Sequence, residues 1–441
     1  MKKILISILS VVFITSLAFI GTGCKEEPAV AVEEQVEEQV EEEAEEVVEL
    51  SFWTQWADLS LQVGEEMFSR WEAENPNIKV THRVLPNDTA EELLRNAFAS
   101  GAPPDVYYQE NVFDLFKQAD LGLIGDLTDF YTEYGDRFPE ASHPYSYHNN
   151  SFWSVPVYGS SAGHIYYNKD IFEEYNIDVP EDWESFLEAC ETLKDNGVIP
   201  IAMGTKAGWP GLHWYVAFLG QTVGAEGFWA NVQRTNKDET PKWTDPGFIK
   251  AAELYKSLFD KGYFDAGAGM LEYDSGVTQF FSGKAGMFFT GSWFEGLGVP
   301  DELNWSLFPF PKIAGEPRGE FLDRILTYLN GYSYSAACEH PKEAVKFIEF
   351  LTRPENAKVW YTIAKNIPAT LDAVEDSELS EAGVAYVELA ENATGALPFI
   401  ETWVNPEAGE GEMYAGATGI ATGQLTPEEW MQRIEDALVF E

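Results

Sequence analysis

The stretch VVELSFWTQWADLSLQVGEEMFSRWEAENPNIKVTHRVLPNDTAEELLRNAFASGAPPDVYYQEN, residues 47–111, decides the fold. Val47 to Trp53 reads as a strand. Leu61, Met67, Phe68 and Trp71 then fall on one helical face, which Asn75-Pro76 brings to a stop. Ile78 to Val84 alternates as a second strand. Leu93, Leu94, Ala97 and Phe98 mark a second helix, closed by Gly101 and the Pro103-Pro104 break, and Val106-Tyr107-Tyr108 is a third strand. The β-α-β-α-β order predicts an α/β fold with a parallel, doubly wound sheet. In such sheets ligands sit beyond the carboxyl ends of the strands. That places Gln55 and Trp56 at one strand end, and Gln109, Glu110 and Asn111 at another.

Upstream, Met1, Lys2 and Lys3 lead into an apolar run, Ile4 to Ile20, ending at Gly21-Thr22-Gly23-Cys24. A basic start, a short apolar stretch and small residues describe an export signal over residues 1–23. Cys24 sits where bacterial lipoproteins carry the acylated thiol, although Gly21 stands where their cleavage box prefers Leu. An ordinary cleaved signal or an uncleaved anchor is the alternative. Residues 24–49 form an acidic segment in which twelve glutamates face Lys25, a balance of −11. Its glutamates recur every four residues, so a helix would suffer like-charge repulsion of a few tenths of a kcal/mol per pair. The segment reads as an extended tether, with a coiled-coil strand as the alternative. Stretched, about 25 residues at roughly 3.3 Å each reach about 80 Å.

Leu50 to Glu441 is long enough for two lobes. The formal charge of −46 exceeds what the tether supplies, so the folded body is acidic as well. Nucleic acid and anionic headgroups would be repelled, which leaves no nucleic-acid partner and no direct membrane surface. If Cys24 is acylated, only Cys190 and Cys338 remain. The six histidines show no HxH or HxxxH spacing and no CxxC occurs, so neither a metal site nor a cofactor is expected. Further helices run from Asp182 to Asn196, from Asp245-Pro246, and from Pro341 to Leu351. Thr426-Pro427-Glu428-Glu429 is a capping box that opens the last one.

Six stretches, taken in order, carry a resemblance. They are ELSFWTQW at 49–56; the helix ending in NPNIKV at 75–80; and ASGAPPDVYY at 99–108 with GLIGDLTDF at 122–130. Then come SVPVYGSSAGHIYYNKDIFEEYNIDVPEDWESF at 154–186, QFFSGKAGMFFTGSWF at 279–294, and NGYSYSAACEHPKEAVKFIEFLTRPENAKVW at 330–360. Each is weak alone. Together, behind a lipoprotein leader, they resemble the extracellular solute-binding proteins of ABC importers, sugar-binding type. The resemblance implies two doubly wound α/β lobes joined by a hinge, in a solute-binding domain spanning 50–441. Lobe 1 is expected at about 50–157 and 313–367, and lobe 2 at about 158–312 and 368–441, with crossings near Val157, Lys312 and Pro368. Cys190 and Cys338 would then lie in different lobes as free thiols.

The implied function is capture of a mono- or oligosaccharide by cleft closure and delivery to the permease. A monomer held by its lipid at the cell surface, or in a periplasm, would do this without chemistry. Sugar rings offer apolar C–H faces and a fringe of hydroxyls, which aromatic platforms and polar forks recognise. The stacking candidates are Trp56, Tyr158, Trp209, Trp214 and Trp293. The polar candidates are Gln55, Gln109, Glu110, Asn111, Asp323, Arg324 and Asn330, with Glu401 and Trp403 in an irregular stretch nearby. A place in a lobe core is the alternative for each aromatic, above all for Trp53 and Trp71. Asn330-Gly331 stands where the family shows Gly-Gly.

Two rival functions remain at this level. A carbohydrate-active enzyme needs two carboxylates about 5 to 10 Å apart, one with a raised pKa. Among 74 acidic residues that spacing discriminates nothing. A tethered lectin or sensor would need the same closed cleft.

Overall fold

The computed structural model describes residues 47–316, 323–327, 330–392 and 395–440, without the side chains of 323–327, 389–392, 395 and 396. The leader, Cys24 and the tether up to Glu46 lie outside the described residues. The first strand begins at Val48, so the last two residues of the expected tether belong to the folded body.

The first sheet has five strands in the order Ile78–Val84, Val48–Thr54, Val106–Gln109, Gly331–Tyr334, Val155–Pro156. The first three pair in parallel, as the β-α-β-α-β reading expects. Gly331–Tyr334, where the chain re-enters this lobe from its neighbour, joins antiparallel to Val106–Gln109, and Val155–Pro156 pairs antiparallel with Gly331–Tyr334 in turn. Helix Leu59–Glu74 turns Val63, Met67 and Trp71 inward against Phe52, Phe347 and Phe350, while Leu61 is exposed. Asn75 ends that helix, and the Trp71 indole donates to the Ile78 carbonyl at 3.1 Å, tying helix end to strand start.

The second sheet is mixed: Gly395–Leu397, Asp323–Thr327, Ser160–Asn168, Ala285–Gly291, Ile199–Ala202, with Trp305–Pro309 also on Ser160–Asn168. Its larger core gathers Trp214, Tyr215, Trp243, Tyr255 and Trp430. The predicted helices are present as Trp183–Asp195, Pro246–Asp260, Pro341–Leu351 and Pro427–Ala437. Thr426 and Glu429 form the capping box, whereas Asp245 accepts from the Lys242 amide instead of capping. Cys190 and Cys338 are free thiols in separate cores.

Three segments run side by side between the sheets. The Val157 amide donates to the Asn330 carbonyl at 2.8 Å, the Ala369 amide to Val157 at 2.9 Å, and Tyr158 bridges Pro368. Two crossings therefore lie near the expected Val157 and Pro368. The third does not lie at Lys312. Asp323–Thr327 still pairs antiparallel with Ser160–Ala162, and Ile313 is buried in the second core. The chain returns to the first sheet only between Thr327 and Gly331. Proline-rich FPFPK ends a strand at 308–312 without ending the lobe, which is why the sequence misleads there.

Candidate ligand-binding site

A cavity of about 920 Å³ is lined by residues of both lobes and the crossings. This volume lies within the roughly 300–1,000 Å³ typical of ligand clefts. The first lobe contributes its strand ends. Trp56, just past Val48–Thr54, is 3% exposed, meets Trp360 edge-on at 5.0 Å, and its indole N–H has no partner. Past Val106–Gln109, Glu110 accepts from the Tyr108 hydroxyl at 2.9 Å, which also contacts the Tyr158 hydroxyl at 2.8 Å. Tyr158 thus brings a crossing segment to the cavity wall.

The second lobe supplies an aromatic wall. Trp209 opens helix Trp209–Thr222, and it sits in the first helical turn instead of the irregular loop its Gly-Trp-Pro-Gly setting suggests. Gly208 before it has φ +87, and a Cβ there would lie 2.4 Å from Tyr414 Cβ. Only glycine satisfies both conditions. Trp293 follows strand Ala285–Gly291 and folds back over Gly291, where a Cβ would overlap its ring at 1.9 Å. The Trp293 indole donates to the Tyr273 hydroxyl at 3.0 Å, and Trp209 lies 4.5 Å from the Tyr273 ring. His213 stacks on Phe399 at 4.8 Å; burial pushes its pKa down to about 3, so the ring is neutral.

Charge is distributed unevenly. Among the described lining residues ten carry carboxylates and two, Arg95 and Lys206, carry cations. Arg95 donates to Asp114 at 2.7 Å and, across the cleft, to both oxygens of Glu410. Burial alone would lower its pKa, but Glu410 and Asp114 hold it above the usual value. Lys206 pairs with Glu272. Glu401 is 4% exposed, accepts from the Tyr414 hydroxyl at 3.2 Å, and has an unpartnered Oε2. Burial, reinforced by Glu410 and Glu110, pushes its pKa up to about 7. Burial and Asp274 raise Asp58, and burial and Glu272 raise Asp88, so like charges face each other across the cleft.

Of the twelve ligand candidates, eight line the cavity: Gln55, Trp56, Glu110, Asn111, Tyr158, Trp209, Trp293 and Asn330. Two of these also hold the structure together. Asn111 caps helix Val112–Asp120 and donates to Glu410 at 3.1 Å, and Asn330 donates to Ser160 Oγ at 2.6 Å within the crossings. Gln109 is 3% exposed and turns under, donating to the Asn111 carbonyl at 3.1 Å. Trp214 is wholly buried against Phe289 and Phe264. It follows Trp209 by five positions, about 140° further round the helix, hence on the opposite face. The side chains of Asp323 and Arg324 lie outside the described residues. Glu401 lines the cavity; Trp403 instead packs on Tyr145 at 5.5 Å and Phe116 at 6.3 Å.

Glu91, Arg95, Tyr273, Glu410 and Tyr414 went unnoticed in the sequence. Glu91 and Arg95 stand four apart on a helix whose other face carries Leu94 and Ala97, a spacing that could have marked them. Nothing distinguishes Glu410 among 74 acidic residues.

Residues 58–358 match the family model described as Bacterial extracellular solute-binding protein. An uncharacterized ABC transporter extracellular-binding protein of Pyrococcus horikoshii is 23% identical over 80% of this chain and 79% of its own. The multiple sugar-binding protein of Streptococcus mutans is 26% identical over 71% of this chain and 73% of its own. A solved chitin oligosaccharide binding protein superposes with a TM-score of 0.79 at 26% identity, covering 88% of this chain and 97% of that one. With two lobes, three crossings and a cleft between them, the chain belongs to the bacterial extracellular solute-binding proteins.

Proposed function

We propose that this chain captures a carbohydrate outside the cytoplasm and delivers it, unaltered, to the permease of an ABC importer. One observation carries the reading: a cleft of about 920 Å³ between two lobes, lined by Trp209, Tyr273 and Trp293 together with Trp56 and Tyr158. Aromatic faces suit the C–H faces of sugar rings, and the interspersed carboxylates and hydroxyls suit their hydroxyl fringe. A ligand touching both lobes favours the closed form by its differential affinity, and that form docks on the permease. Export and a lipid on Cys24 hold the protein at the membrane, with the acidic segment as leash. Among the described residues no helix is long and apolar enough to cross a membrane.

Glu401, protonated up to about 7, is the kind of acid a glycosidase would use, so the test must separate binding from hydrolysis. Mono- and oligosaccharides are screened by thermal shift, and the bound sugar is then recovered and weighed by mass spectrometry. Stabilisation by a sugar recovered intact is the expected result. Recovery of cleaved sugar would replace the reading with an enzyme, and stabilisation by peptides alone would replace the ligand class.

A further inference from the structure

The cleft's charge points to more than a neutral sugar. Ten carboxylates among the described lining residues face two cations, and both cations are already paired with protein carboxylates. Glu401 is the sharpest case. It is 4% exposed, lines the cleft, and leaves Oε2 without a hydrogen-bond partner. Across from it, Glu110 already takes a hydrogen bond from Tyr108 and meets Glu401's field, which helps raise the Glu401 pKa. Glu91 likewise has a buried oxygen with no partner. A buried carboxylate oxygen without a donor is costly, and a bound ligand that donates to it removes that cost. A sugar hydroxyl would satisfy the geometry and leave the charge excess. An ammonium would satisfy both, through a charge-assisted hydrogen bond roughly twice as strong as a neutral one. The faces of Trp209, Tyr273 and Trp293 add the aromatic wall that cations favour within about 6 Å.

We propose that the ligand is an amino sugar or amino-sugar oligosaccharide, bound with a protonated primary amine on Glu401 and within reach of Glu110. This rests on the carbohydrate reading above and narrows it to a cationic class. The test is calorimetric titration of the purified protein with three matched β-1,4 tetramers and their monomers. These are glucosamine, N-acetylglucosamine and glucose, which differ at C2 by ammonium, acetamide and hydroxyl. The glucosamine series should bind at least tenfold more tightly than either neutral series and weaken as salt is raised. Glu401→Gln, and separately Glu110→Gln, should remove most of that preference while the melting temperature shows the fold intact. Neutral tetramers binding as tightly as the aminated one would overturn the cationic class and leave the carbohydrate reading standing. Binding of spermidine with no response to any sugar would overturn both.

Discussion

Arg95 and Glu410 clasp each other across the cleft, Nη1 to Oε1 at 2.9 Å and Nη2 to Oε2 at 2.5 Å. Arg95 projects from helix Ala90–Ala99 of the first lobe and Glu410 from the second, and each side chain is about three-quarters buried. Asp114 fixes the same guanidinium from below at 2.7 Å. The pair therefore joins the two lobes and is more than a surface contact.

Glu410→Gln should loosen that link. A partly buried, two-pronged pair is worth about 1 kcal/mol beyond its neutral replacement, roughly fivefold in an equilibrium. Ligand affinity should fall by about that factor, and small-angle scattering without ligand should show a larger radius of gyration. An unchanged radius and affinity would mean that Glu410 does not govern closure.

Trp403 forms a second contact between the lobes, packing on Phe116 and Tyr145 of the first and on Trp229 of its own. Trp403→Ala should favour the open form by about 1–2 kcal/mol, the scale of a partly buried aromatic contact. Scattering should report expansion even where the melting temperature changes little. Loss of melting temperature without expansion would make Trp403 a core residue only.

Trp214 and Trp209 share a helix but should fail differently. Trp214→Ala opens a cavity in a full core and should cost about 3–5 kcal/mol of stability by denaturant unfolding. Trp209→Ala, on the cleft side, should lower affinity with a far smaller stability loss. Equal stability losses would contradict the assignment of opposite faces.

Glu401 links stability to pH with a definite sign. Its folded pKa of about 7 lies above the ordinary carboxyl value, so the folded protein keeps a proton that the unfolded chain gives up. Its contribution is therefore favourable below about pH 4.5 and is lost as pH rises towards 7, on the order of 3 kcal/mol in all. Glu401→Gln should not show this decline, so the stability difference between variant and wild type should grow from pH 5 to 7.5. A pH-independent difference would place Glu401 in a solvated site.

How much was legible depended on whether a signal was local. Ile78–Val84 and Pro341–Leu351 could be read because alternation, caps and proline mark them within a few residues. Trp56 and Glu110 could be placed because strand ends carry ligands in such sheets, and Trp293 through the family resemblance. Trp214 misled because aromatic identity does not say which helical face is turned inward. The crossing near Lys312 misled because proline ends a strand whether or not the chain leaves its lobe. The Arg95–Glu410 pair joins residues 315 positions apart, and no local pattern announces it.

The most direct measurement is calorimetric titration of wild-type and Trp293→Ala protein with the sugar that stabilises the wild type most. Trp293 is held over Gly291 and against Tyr273, and it lines the cleft without belonging to either main core. The predicted result is tight, stoichiometric binding to the wild type and at least tenfold weaker binding to a variant that melts nearly as the wild type does. Equal affinity in the two proteins would contradict the placement of the ligand in this cleft.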